Sequence, residues 1–165
     1  MASQKRIEMW EALLDAEMNE VYWHRETQRY GTQDRFVAVT AAILSSGTAV
    51  ALFSGISASP ILSKSVACLA GAVSIFHAKF FHSGRLKQLT TIATRWKEMA
   101  IEYKLLWSEL EDGHEIDAKS WKEFEAISRR EKSIDESTFP IHNSRLKEAQ
   151  DKIYEARGLP NERKG

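Results

Sequence analysis

The chain has 165 residues, 43% hydrophobic and 28% charged, and its 23 basic groups are matched by 23 acidic ones. That length fits a single domain, and a formal net charge of zero gives no electrostatic reason to expect a nucleic acid or an acidic partner. The average hides a segregation: residues 1–35 carry five Lys/Arg and seven Asp/Glu, residues 36–78 carry Lys64 alone, and residues 79–165 carry seventeen basic and sixteen acidic groups.

In chain order, residues 1–35 predict a cytosolic amphipathic helix with Ile7, Trp10, Leu14, Met18 and Val21 at helical spacing. Residues 36–63 then contain no charged side chain. About 20 residues rising 1.5 Å each cross a hydrocarbon core of roughly 30 Å, so a first membrane span is expected over 36–56. A second is expected over 61–81, with Lys64 and Lys79 placed where a lysine can snorkel to the interface. Gly55 and Pro60 in "SGISASPIL" break the chain between them, which makes residues 36–82 a helical hairpin. Basic residues mark the retained side of a membrane. Arg25, Arg29 and Arg35 precede the first span and Lys79, Arg85, Lys87, Arg95 and Lys97 follow the second, so both termini are expected in the cytosol of a multi-pass membrane protein. The single cysteine, Cys68, lies within the second span and excludes an intramolecular disulfide.

The spans sort their residues by size. In "SVACLAGAVSIFHAKF", Val66, Leu69, Val73, Phe76 and Phe80 fall on one side, and Ala67, Ala70, Gly71, Ser74 and His77 on another. The first span repeats the device with Gly47, Ala51 and Gly55 at every fourth position. Helices in lipid gain nothing hydrophobic by associating, so small residues mark close contact and bulky ones meet acyl chains. Small faces on several sides exceed what one hairpin consumes, and a homo-oligomer, tetramer or higher, is expected. Thr40, Thr48, Ser54, Ser74 and His77 are the candidates for a water-facing lining, because polar groups at membrane depth face protein or water.

Residues 83–165 predict a cytosolic helical region. Leu86, Leu89, Ala93, Trp96, Ala100, Tyr103, Trp107 and Leu110 recur in steps of three and four, widened by Ile92, Met99 and Leu106. A helix around Trp121, Phe124 and Ile127 and a last one with Leu146, Ala149, Ile153 and Ala156 are available to cover that stripe, separated by "EDGHEID" and Pro140. The expected fold is therefore all-α: a two-span integral membrane hairpin with a cytosolic helical bundle.

Chemical motifs are sparse. There is no Gly-rich phosphate loop and no HExxH, and His24, His77, His82, His114 and His142 have no metal-ligand spacing, so neither an enzyme, a metal nor a cofactor is expected. Residues 79–97 hold five basic side chains and no acidic one. Such a belt serves topology and anionic headgroups, or, repeated around an oligomer, an anion site made of Arg25, Arg29, Arg85, Lys87, Arg95 and Lys97. Trp96 and Tyr103 are placed to stack a base, but they lie on the apolar stripe, which favours core packing. The doublet Arg129 and Arg130 reads as a solvated face.

With "EVYWHRETQRYG" before two close spans and "RLKQLTTIATRWKEMAIEY" after them, the architecture of residues 5–155 resembles the SLATT family of two-span effectors of bacterial conflict systems. The resemblance implies an oligomeric effector of the bacterial inner membrane that opens a pore or disrupts the bilayer during phage infection. Its trigger would be a nucleotide or oligonucleotide signal, or a separate sensor such as a nucleotidyltransferase. The alternative is a membrane-anchored scaffold whose cytosolic helices recruit a soluble partner.

Overall fold

A computed structural model describes residues 2–45, 83–111 and 116–160. The described chain is all-α, with four helices and no strand. They are α1 (Ala2–Ser45), α2 (Ser83–Glu111), α3 (Ala118–Glu131) and α4 (Asn143–Ala156). Residues group into two units, one of Met1–Glu26 with Leu89–Gly165 and one of Thr27–Gln88.

α1 is 44 residues long and passes without interruption through the expected junction at residue 35. No proline stands before Pro60 to stop it, and an interior glycine costs a helix only about 1 kcal/mol. That glycine, Gly31, lies beside α2: a Cβ built on it would stand 3.9 Å from Leu86 Cδ1, an ordinary contact.

In the unit that holds α3 and α4, the α2 stripe is the main wall of the core. Leu89, Ile92, Trp96, Met99, Ala100, Tyr103, Leu106 and Leu110 are buried at the expected spacing. Phe124 and Ile127 of α3 and Ala149 of α4 join them, while Leu146 and Ile153 are half-buried and Ala156 is exposed. The expected face of α1 needs correction. Met9, Leu13, Ala16, Tyr22 and Trp23 are the buried residues, whereas Ile7 is 47% exposed and Trp10, Leu14, Met18 and Val21 are half-buried. The buried set keeps helical spacing, with Met9, Leu13, Ala16 and Trp23 separated by four, three and seven positions, so α1 presents one stripe but on another side of the helix from the expected one, and its half-buried residues touch neighbouring elements as well. Trp10 packs on Trp107 of α2 with ring centroids 4.9 Å apart. Lys5 lies over Trp121 of α3, and Trp23 meets Phe139 of the α3–α4 connection edge-on at 6.2 Å.

Helix ends follow local chemistry. Asp117 caps α3, its Oδ1 accepting the Ser120 N–H at 2.7 Å, and this bond to the charged form holds its carboxyl below the usual range. α4 is closed by Gly158, two residues past its last helical residue, whose φ of 65° suits glycine. There the Leu159 N–H donates to Tyr154 O at 2.9 Å and the Gly158 N–H to Glu155 O at 3.2 Å, the paired bonds of a Schellman end.

Candidate functional site

Where α1 approaches the charge-free run, its outward face is apolar. Phe36, Val39 and Ile43 are 72%, 58% and 61% exposed, and their spacing puts them on one side of the helix. Thr40, the one proposed lining residue within the described chain, is half-buried and donates its hydroxyl to Phe36 O at 2.8 Å, as Thr32 does to Gln28 O at 2.9 Å. Its polar demand is met within its own helix. Thr48, Ser54, Ser74 and His77, and the small residues Gly47, Ala51, Gly55, Ala67, Ala70 and Gly71, lie outside the described residues, as does the second expected span. Among the described residues no helix is long and apolar enough to cross a membrane.

The basic residues fall into different settings. Arg25 is 3.8 Å from Glu148 and belongs to a set of ion pairs that fasten α1 to the C-terminal segment. Arg145 Nη1 donates to both oxygens of Glu26, at 2.8 and 3.0 Å, and Arg157 donates to both oxygens of Glu17, at 3.1 and 2.5 Å, while lying over the Trp10 ring. Arg95 and Lys97 are exposed in the same unit. Lys97 and Lys104 are near enough to Glu20 to draw its carboxyl down against the stronger effect of burial, which pushes it up. Arg29, Arg85 and Lys87 belong to the other unit, and all three are exposed. The Arg129–Arg130 doublet is more engaged than a solvated face requires, because Arg130 takes both oxygens of Glu102 on α2.

The two aromatics weighed for base stacking are in the core: Trp96 is 6% and Tyr103 2% exposed. Their polar atoms lead to a feature that sequence spacing did not reveal. Glu136, in the α3–α4 connection, accepts on one oxygen the indole N–H of Trp23 at 2.6 Å and that of Trp96 at 2.5 Å. One carboxylate thereby ties α1 and α2 to the connection. Five residues earlier, Glu131 accepts the Tyr103 hydroxyl at 2.7 Å, and the Tyr22 hydroxyl accepts the His142 N–H at 3.0 Å. Burial pushes the Glu131 carboxyl up, opposed by the Tyr103 bond and by Lys132, and reinforced by the like charges of Asp15 and Glu136. The Tyr103 phenol is pushed far up by burial and by Glu131. Buried Trp and Tyr need partners for their N–H and O–H groups, and that demand was the signal available in the sequence. What the arrangement does chemically is hold the bundle together. Among the described residues no group of three or more His, Cys, Asp or Glu side chains is arranged to hold a metal ion.

No family model, curated protein or solved structure matches the chain. The resemblance to SLATT effectors accordingly rests on the order of elements and the two segments quoted for it.

Proposed function

We propose that the protein is a homo-oligomeric membrane effector that forms a pore in, or disrupts, a bacterial inner membrane in antiphage defence, with the two-helix hairpin of residues 36–82 as its membrane part. The observation that carries this reading is the absence of charge from residues 36–63. The exposed Phe36, Val39 and Ile43 at the start of that run support it, because a row of large apolar side chains on a helix exterior is stable where lipid or protein covers it. Arg29 and Arg35 precede the row, as basic residues do on the cytosolic side of a span. The small and hydroxylated residues of the two spans supply the association surfaces and the lining.

The trigger in this reading is an anionic signal or a sensor protein. A nucleotide would be held by Arg85, Lys87, Arg95 and Lys97, the acid-free stretch joined to the second span. It would bias the pore only through different affinities for the open and closed arrangements. Arg25 contributes less to such a site, being paired with Glu148. Expression in a bacterial host tests the proposal. The protein should resist alkaline extraction, and cells carrying it should admit an otherwise excluded dye when the defence signal is present. Release into the alkaline supernatant would overturn the membrane reading, and intact barriers under every signal would overturn the effector reading.

A further inference from the structure

Two apolar residues of α2 fall outside its buried stripe. Ile101 and Leu105 are 48% and 62% exposed and stand one helical turn apart, so they form a short ridge on the outer side of the helix. The charges beside this ridge are sorted. At about 100° per residue, Lys97 and Lys104 border it on one flank and Glu102 and Glu109 on the other. With Ile101 and Leu105 at the d and a positions of a heptad, the lysines take g positions and the glutamates e positions, each Lys five residues before a Glu.

We propose that this ridge is a contact between copies of the chain, in which two α2 helices pair in parallel through Ile101 and Leu105. In a parallel pair each g residue faces the e residue five positions on in the other helix. Lys97 then meets Glu102 of the second copy and Lys104 meets Glu109, four complementary pairs around two apolar layers. An antiparallel pair would set the lysine flanks against each other and the glutamate flanks against each other, so the charge pattern selects the parallel orientation. Within one copy Glu102 already accepts from Arg130 of α3, so Lys97 of the second copy shares that carboxylate with Arg130.

The contact is short. Glu98 at the preceding a position and Thr94 and Ser108 at the flanking d positions confine it to about one heptad, far from the roughly 1,200 Å² that a stable interface buries. It acts where copies are already concentrated, and for that alone it rests on the membrane reading.

Oxidative crosslinking of the full chain tests the proposal. Ile101→Cys and Leu105→Cys, each in a Cys68→Ala background and assayed in membrane vesicles, should each form a disulfide-linked dimer alone. A cysteine at Ser120 on α3 should not. Lys104→Glu should lower the yield about fivefold, as expected from turning two weak attractions into repulsions, and Lys104→Glu with Glu109→Lys should restore it. That rescue separates the contact between copies from the Lys104–Glu20 proximity within one copy, which Glu109→Lys leaves unrepaired. The proposal is overturned if neither cysteine crosslinks in membranes, if dimers arise only when the two variants are mixed, or if charge reversal has no effect. Should the chain be recovered in the soluble fraction, the membrane reading fails, and the same oxidation at high protein concentration decides the pairing by itself.

Discussion

Glu136 is the residue whose loss should most clearly expose how the bundle is held. Its carboxylate is half-buried, and the two indoles it accepts from are almost wholly so, Trp23 at 1% and Trp96 at 6% exposure. Glu136→Ala leaves two buried N–H donors without their acceptor. A buried donor left unsatisfied costs about 1–3 kcal/mol, so the pair sums to roughly 2–6 kcal/mol. Water reaching the vacated space from the half-exposed side brings the expected value into the lower half of that range. Glu136→Gln keeps a carbonyl oxygen able to accept both donors and loses only the assistance of charge, about 1 kcal/mol in all. The assay is chemical denaturation of the full chain in detergent, followed by near-ultraviolet circular dichroism, which reports the packing of the indoles. The order of stability should be wild type, then Gln, then Ala. Ala within 0.5 kcal/mol of wild type, or Gln as damaging as Ala, would refute the assignment of Glu136 as a shared acceptor.

Glu131 is raised in the folded state. What it contributes to stability is thus fully present below its ordinary value of 4.5 and is lost as pH climbs through the raised one. Glu131→Gln should flatten the pH dependence of the melting temperature and raise that temperature at pH 7; an unchanged profile would contradict the burial of this carboxyl. Arg157→Ala removes two bonds to Glu17 and the cation over Trp10, and should cost about 2 kcal/mol by the same denaturation assay. Gly158→Ala should lower stability by about 1 kcal/mol, because alanine resists the positive φ of the α4 end. Gly31→Ala should do the reverse by about 0.5–1 kcal/mol, since a methyl there meets only ordinary contact with Leu86.

How far the fold could be read in advance depended on how many sides of each helix are covered. α2 presents one broad stripe to the rest of its unit, and between residues 89 and 110 every expected position is buried except Ala93 and Trp107, which are half-buried at its edges. α3 and α4 contribute one face each, and Phe124, Ile127 and Ala149 are where the spacing put them. α1 failed the same test, because apolar residues stand on two of its sides, and the side of Met9, Leu13, Ala16 and Trp23 is the more deeply buried, not that of Ile7, Trp10, Leu14, Met18 and Val21. α1 also runs on past residue 35 to Ser45. Residue 35 marks a change of composition and not of conformation, and neither Gly31 nor any proline stops the helix. Glu131 and Glu136 form no motif with each other, since their partners are 28 to 113 positions away. Only the N–H and O–H groups of Trp23, Trp96 and Tyr103, which need an acceptor when buried, pointed to partners elsewhere in the chain. The small-residue faces and the remaining lining residues lie outside the described chain and stand as the sequence reading left them.

The central claim is that this chain permeabilises a bilayer, and dye release from liposomes carrying the purified full-length protein tests it most directly. The account predicts release that depends on protein and responds to a nucleotide signal, with the response abolished by charge reversal at Arg85, Lys87, Arg95 and Lys97. Liposomes that bind the protein yet stay sealed, with every nucleotide and with the sensor protein present, would contradict it.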